Sequence, residues 1–140
     1  MKILIAVDGS PHTKSMLAYL AAHDEWLGPT HQYTVLHCAP KVHPRAAAVI
    51  DATALKDYYV DESEKVLKPI RAFFSRHRLD VTFTAETGDA AEVIAEFADR
   101  GKFSLLMMGS HGHGALGNLV MGSVATKVMA ACKAPVLIVR

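Results

Sequence analysis

A glycine-rich stretch after the apolar run at residues 103–108 holds the residues best suited to contact a ligand. It contains Gly109, Gly112 and Gly122, and Ser123 then opens a helical pattern. A strand, a glycine-rich loop and a helix N-terminus present free backbone N–H groups and the positive end of the helix dipole. The stretch therefore predicts an anion site, with phosphate as the first ligand to consider. A glycine-rich loop taken alone is equally compatible with a surface turn that binds nothing.

A carboxylate, Asp8, stands at the end of a second apolar run, residues 2–8. Ligands of doubly wound sheets lie beyond the carboxyl ends of the strands, where the winding reverses. If the two apolar runs form neighbouring strands, Asp8 and the glycine-rich loop face one crevice. A carboxylate there suits ribose hydroxyls or an adenine amine. Asp8 could also cap the turn to Ser10 through its own side chain, and the two roles are compatible.

The same stretch favours binding over catalysis. Efficient phosphoryl transfer needs a positioned cation and a group that orients water. The chain contains no G-x-x-x-x-G-K-[ST] motif, and residues 109–123 contain no Lys or Arg. Lys127 lies one turn into the following helix, where a solvated surface role is expected. We therefore assign no catalytic residue, and slow nucleotide hydrolysis stays open as an alternative. Because a side chain at residue 122 would occupy the phosphate approach, we expect Gly122→Val to block nucleotide binding.

Four of the eight histidines lie at or just after the predicted carboxyl ends of strands: His12, His37, His111 and His113. Neutral imidazoles that converge there could bind a transition metal. Their spacing matches no zinc pattern, however, so no metal site is predicted. His111 and His113 are expected to donate hydrogen bonds to phosphates or to face solvent.

Composition predicts one ordinary globular domain over residues 1–140. Apolar residues make up 51% of the chain and charged residues 21%, and the net charge is +1. A chain without a basic stripe is not expected to bind nucleic acid, and no apolar run approaches the length of a membrane span. Cys38 and Cys132 lie in apolar patterns and are expected to be reduced thiols. With no signal segment before residue 8, a cytoplasmic location is expected.

Strand-like and helix-like patterns alternate along the chain. Most of the strands are apolar throughout, which favours a parallel sheet with helices on both faces. Strands are predicted at about residues 2–8, 33–39, 80–86, 103–108 and 135–140, and helices at about 11–27, 50–78, 90–100 and 123–131.

Three segments carry more specific expectations. Apolar and polar residues alternate in the third strand, residues 80–86. One of its faces is therefore expected to be exposed to solvent, and the strand is expected near a sheet edge. Pro69 lies inside the second helix, where it should cause a kink or separate two abutting helices. Residues 40–48 contain two prolines and are predicted to form a loop.

The spacing G-x2-G-x9-G-[ST], formed by Gly109, Gly112, Gly122 and Ser123, resembles the signature of the ATP-binding branch of the universal stress proteins. The resemblance covers the whole chain, in the segments AVDGS, LHC, TGDAAEVI, MGSHG, GSVATKV and APVLIVR. It implies an open, doubly wound, five-stranded parallel sheet in the order 3-2-1-4-5, similar to the adenine nucleotide alpha hydrolases. In that order the first and fourth strands are neighbours.

The resemblance also implies a site for ATP. Asp8 would contact the nucleoside, and the backbone around Cys38 would contact adenine. If a cation accompanies the phosphates, Mg²⁺ or Mn²⁺ is expected. The residues implied to hold ribose and phosphates are Gly109, Gly112, Gly122, Ser123 and Val124.

A homodimer is the assembly that the resemblance implies. In the family's strand order the last strand, Val136–Val139, lies at an outer edge, and an uncovered apolar edge tends to pair with another strand. The expected function is a nucleotide-holding regulatory module of the stress response. Two alternatives remain at this point: a slow ATPase or adenine-nucleotide-processing enzyme, and a dimeric interaction module that binds no nucleotide.

Overall fold

The computed structural model of this chain describes residues 1–113 and 120–140. Strands and helices alternate through these residues, with one short extra helix after the second strand. Their bounds are β1 Lys2–Val7, α1 Pro11–Ala22, β2 Gln32–Ala39, α2 Pro44–Ala47, α3 Ala52–Arg76, β3 Val81–Thr87, α4 Ala90–Arg100, β4 Leu105–Gly109, α5 Ser123–Ala131 and β5 Val136–Val139.

The strands form one parallel sheet in the order β3-β2-β1-β4-β5, so the predicted fold class and strand order are confirmed. The central strand β1 pairs with β2 and β4, and its Ile5 lies opposite Val35 on one side and Met107 on the other. β3 lies at an edge, as its alternating pattern predicted. The winding reverses between β1 and β4, so their carboxyl ends open into a crevice.

Each face of the sheet is covered by helices. Odd-numbered residues of β1, such as Ile3 and Ile5, pack with α1 and α3, whereas Leu4 and Ala6 pack with α4 and α5. Phe74 of α3 is almost fully buried on the first face. Each fully buried Leu, Ile or Phe side chain contributes about 1.5–3 kcal/mol to folding, so the two apolar layers hold the strand ends in fixed positions.

The boundaries of α1 and the loop after β2 differ from the predictions. α1 ends at Ala22, because the His23 N–H bonds to the Leu20 carbonyl in a non-helical conformation; the predicted helix to residue 27 was wrong there. The prediction of a loop throughout residues 40–48 was also wrong. Pro44 begins the short helix α2, for which the His43 ring accepts a hydrogen bond from the Arg45 N–H.

Pro69 lies within α3, which is one continuous helix from Ala52 to Arg76. The alternative of two abutting helices was therefore wrong. Two features support a continuous helix. Asp51 caps its first turn, and the side chains of Leu67 and Ile70, on either side of Pro69, are buried in the core. Across the described ranges, no helix is both long enough and apolar enough to cross a bilayer.

Candidate functional site in the cleft between β1 and β4

A cleft opens where β1 and β4 end, between α1 on one face of the sheet and α5 on the other. Its apolar part includes Ile94, Met108 and Ala125. Concave apolar surface with a few convergent polar groups is the usual form of a small-molecule site. Five of the seven residues predicted to contact a ligand line this cleft: Asp8, Cys38, Gly109, Gly112 and Val124.

Asp8 follows β1 and points into the cleft. Its Oδ1 accepts hydrogen bonds from the Ser10 N–H and the Thr13 hydroxyl, both at 2.9 Å, so the expected capping of the turn is confirmed. A Cβ atom on Gly112 would lie 2.8 Å from Asp8 Oδ2, which shows that Oδ2 faces the glycine-rich loop. One oxygen of this carboxylate thus holds the turn, while the other lines the cleft.

Asp8 is ionised at neutral pH. Burial raises the pKa of its carboxyl group, but the hydrogen bonds from Ser10 and Thr13 and the nearby His113 charge outweigh burial and hold the pKa below the ordinary 3.8. The ionised carboxylate therefore stabilises the fold above about pH 4, and this stability is lost as the pH falls through the lowered pKa. As an acceptor, the carboxylate is suited to hydroxyl or amine donors.

Gly109 has a packing role. A Cβ atom there would lie 2.8 Å from His12 Cβ and 3.1 Å from the His12 carbonyl carbon, far inside normal contact. The missing side chain lets the first turn of α1 lie directly against the end of β4. This close approach brings α1 to the rim of the cleft.

Gly122 and Ser123 lie beside the cleft at the start of α5. Gly122 is the N-cap residue and has no side chain that could cap the helix, so the first-turn N–H groups suit an external anion. The Gly122 N–H donates to the Ser110 carbonyl at 2.7 Å. A Cβ atom on Gly122 would meet that carbonyl at 3.2 Å and His111 Cα at 3.1 Å. A side chain at residue 122 would therefore first meet the backbone of the glycine-rich loop, and Gly122 as a ligand contact stays a prediction.

Three of the four strand-end histidines converge at the mouth of the cleft. The His12 and His111 rings lie 4.9 Å apart, and His113 Nε2–H donates to the Asp8 carbonyl at 2.7 Å. His37 does not join them; it is buried in β2, where its Nδ1–H donates to the Val7 carbonyl. Within residues 1–113 and 120–140, no group of three or more His, Cys, Asp or Glu side chains is arranged to hold a metal ion.

Two polar residues of the site escaped the sequence analysis. Thr13 lines the cleft and bonds to Asp8, and its signal was the three-residue spacing from the N-cap Ser10. Ser110 lies inside the glycine motif and is 1% exposed, with its Oγ 2.8 Å from His111 Nδ1 and 3.4 Å from His12 Nδ1. No sequence pattern indicated that α1 would supply a partner for this hydroxyl.

Cys38 forms the β2 side of the cleft. Its thiol donates a weak hydrogen bond to the Gly88 carbonyl at 3.7 Å. Burial, together with the negative charges of Asp89 and Glu86, raises the pKa of this thiol to about 11. The thiol is therefore protonated at neutral pH, and Cys38 contributes apolar wall and backbone to the cleft.

We expect Cys38 to react slowly with iodoacetamide. In a Cys132→Ser variant at about pH 8, its alkylation should be at least about 20-fold slower than that of free cysteine, because the small thiolate fraction outweighs the greater nucleophilicity. The rate, followed by mass spectrometry, should rise about tenfold per pH unit up to about pH 10. A plateau below about pH 9 would contradict the raised pKa.

The strand order and the switch-point cleft define a doubly wound α/β protein. The model of the Universal stress protein family matches residues 1–140, and the chain belongs to this family. Among characterised sequences, it is 34% identical over 138 residues to "Universal stress protein in QAH/OAS sulfhydrylase 3'region" of Thermus aquaticus, covering 99% of this chain and 97% of that protein.

Solved structures share the fold. The protein MJ0577 superposes with a TM-score of 0.80 at 24% identity, over 99% of this chain and 94% of that one. The universal stress protein of Archaeoglobus fulgidus in complex with dAMP superposes with a TM-score of 0.69 at 17% identity, over 100% of this chain and 98% of that one. At these identities the superpositions establish the common architecture.

Proposed function

We propose that this chain, as a single domain over residues 1–140, holds an adenine nucleotide, ATP first of all, in the cleft between β1 and β4. The observation that carries the proposal is the placement of Asp8, Cys38, Gly109, Gly112 and Val124 around one cleft at the switch point of the sheet. The A. fulgidus relative that contains dAMP supports an adenine nucleotide as the ligand class.

The residues of the cleft fit the parts of a nucleotide. Asp8 Oδ2 offers an acceptor for ribose hydroxyls or the adenine amine, and the backbone at Cys38 would contact the base. Gly112 leaves room beside the carboxylate. The uncapped start of α5, with the N–H groups of Ser123 and Val124, would face the phosphates. Mg²⁺ or Mn²⁺ would neutralise phosphate charge if it accompanies the nucleotide.

The chemistry of the cleft favours holding ATP over hydrolysing it. Of the residues that the structure describes, no Lys or Arg lines the cleft, and Lys127 is exposed on α5. Asp8 Oδ1 already accepts hydrogen bonds from Ser10 and Thr13 in the turn after β1. A phosphoryl-transfer site would need a positioned cation beside the leaving group. We therefore propose a cytoplasmic, nucleotide-responsive regulatory module of the stress response.

Identification and turnover of bound nucleotide test this function. The purified protein is treated with acid, the released nucleotide is identified by chromatography, and added ATP is followed over hours with and without Mg²⁺ or Mn²⁺. ATP that stays unchanged is the expected result. Steady formation of ADP would favour a slow ATPase, and no binding at millimolar ATP would overturn the proposal in favour of a module without nucleotide.

We propose a homodimer that forms through β5. This strand lies at the edge of the sheet, and Val136, Leu137 and Ile138 are only partly buried. The carbonyls of Pro135 and Val139 accept hydrogen bonds from the β4 side. Since backbone groups alternate in direction along a strand, those of Val136 and Ile138 point to the open edge. These groups can pair with the same strand of a second copy.

Ile138→Pro is expected to convert the dimer to a monomer. Proline removes an outward N–H and cannot join a strand ladder, whereas the bonds between β4 and β5 use the neighbouring residues. Light scattering at micromolar protein should then give the monomer mass, with an unchanged far-ultraviolet spectrum. Leu137→Pro is the matched control, since its N–H points to β4, and it should instead destabilise the fold. A parent protein that is already monomeric would refute the proposed interface.

A further inference from the structure

His12, Ser110 and His111 form a linked group at the mouth of the cleft. We infer that His12 is a positioning residue that acts through Ser110 on His111, and that this pair of imidazoles makes the affinity for phosphate-bearing nucleotides rise as the pH falls. The inference rests on the proposed nucleotide site and adds its regulation. Neither residue of the pair is among the seven residues that the family resemblance implied, although His111 was expected to donate to phosphates or to face solvent.

The structure holds His12 firmly in place. It lies in the first turn of α1, directly after Pro11, in a helix capped by Ser10. Its backbone packs against Gly109, where no side chain fits. From this position the His12 ring tilts over the His111 ring, with centroids 4.9 Å apart and an interplanar angle of 36°. A fixed helix end thus places one imidazole against another that lines the cleft.

The buried Ser110 hydroxyl joins the two rings. Its Oγ lies 2.8 Å from His111 Nδ1 and 3.4 Å from His12 Nδ1. A hydroxyl has one proton to donate and can accept two hydrogen bonds. We assign the hydroxyl proton to the bond with His111 Nδ1 and place the His12 proton on Nδ1, so that Oγ donates to His111 and accepts from His12. In this arrangement neutral His111 carries its own proton on Nε2.

Proton uptake fits the same geometry. When His111 gains a proton on Nδ1, that N–H donates to Ser110 Oγ, which can accept from both imidazoles at once. Two imidazolium rings 4.9 Å apart repel each other. A bound phosphate relieves this repulsion. By linkage, phosphate binding and proton uptake strengthen each other.

Other charged side chains lie around this rim in the part of the chain that the structure describes. They include Asp8 at the end of β1, His113 after β4, Lys14 on α1, Lys127 on α5, and Lys65 and Arg76 on α3, and the lysines and Arg76 are exposed. Asp8 adds negative charge and His113 donates to the Asp8 carbonyl. Lysine and arginine keep their charge across the tested pH range, so the positive charge that changes with pH at this rim belongs to the histidines, and the His12 variants separate the His12 and His111 pair from His113.

Binding of cyclic AMP and of adenosine at two pH values tests the inference. The phosphodiester of cyclic AMP keeps one charge across this range, so titration of the ligand does not interfere. Between about pH 8 and about pH 6, the parent should bind cyclic AMP about tenfold more tightly, which corresponds to a pKa shift of about one unit. Its affinity for adenosine should not change.

Two variants and one control isolate His12. His12→Phe keeps the ring but removes the nitrogens, and His12→Gln keeps a donor for Ser110 without a titrating group. Both should reduce the pH effect to less than about threefold. His77→Phe, on an exposed residue that caps the far end of α3, should keep the full effect.

Three results would overturn the inference. The first is a cyclic AMP affinity in the parent that does not change with pH. The second is a full pH effect in both His12→Phe and His12→Gln. The third is a loss of affinity in both variants that is equal at the two pH values, because such a loss indicates a purely structural role. The first would leave the proposed nucleotide site intact, provided that cyclic AMP still binds. Failure of ATP, cyclic AMP and adenosine to bind at either pH would refute both proposals together.

Discussion

Gly112→Val should abolish nucleotide binding and leave the fold intact. The first side-chain atom would already lie 2.8 Å from Asp8 Oδ2, and the two methyl groups would extend into the space beside that carboxylate. Because Gly112 has no positive φ, the backbone accepts a valine. Titration calorimetry with ATP should show at least about a 100-fold loss of affinity, equivalent to about 2.7 kcal/mol.

The matched control for this variant is Gly28→Val. Gly28 lies in the turn after α1, where a Cβ atom would have an ordinary contact of 3.5 Å with the Asp24 carbonyl. The Gly28→Val variant should bind ATP with the affinity of the parent protein. If Gly112→Val binds ATP within about threefold of the parent, a difference of less than about 0.7 kcal/mol, then the nucleotide does not occupy the space beside Asp8.

Gly109→Val should have the opposite profile, with a large loss of stability. Its Cβ atom would collide with His12 Cβ at 2.8 Å and with His12 main-chain atoms at 3.1 and 3.2 Å, so α1 has to move away from the sheet. Overpacking of this kind is expected to lower the free energy of unfolding by about 3 kcal/mol and the Tm by about 10 °C. Urea and thermal unfolding measure both quantities.

Gly28→Val again serves as the control, and its unfolding free energy should stay within about 1 kcal/mol of the parent. If Gly109→Val is as stable as the parent, then the approach of α1 to β4 is looser than the contacts indicate. Gly109 and Gly112 belong to one sequence motif, yet the structure predicts that one maintains the fold and the other leaves room for the ligand.

The positions of the strands could be predicted because local patterns of apolar and polar residues are enough to indicate them. Apolar runs such as residues 2–8 mark strands buried on both faces, and the alternation in residues 80–86 marks an edge. Asp8 could be assigned to the crevice because it ends a strand that is central in the strand order implied by the family resemblance. For the same reason, five of the predicted ligand contacts line one cleft.

Other features depend on contacts between distant segments. The Ser110 hydroxyl meets His12, 98 residues away, only because Gly109 lets α1 approach β4. The end of α1 at Ala22 is a separate case, because it depends on the bond from the His23 N–H to the Leu20 carbonyl, which the apolar spacing does not encode. The missing side chain of Gly122 faces the backbone of Ser110 and His111, a contact that no spacing rule reveals.

Protection of Cys38 by ATP is the most direct test of nucleotide binding in this cleft. Cys38 lines the cleft, whereas Cys132, at the end of α5, contacts Asp99 and lies outside it. Both thiols are alkylated at about pH 9 with and without saturating ATP, and each is quantified by mass spectrometry. ATP should slow the reaction of Cys38 at least about tenfold and leave Cys132 unchanged. An unchanged Cys38 rate at millimolar ATP would contradict the assignment of this cleft as the nucleotide site.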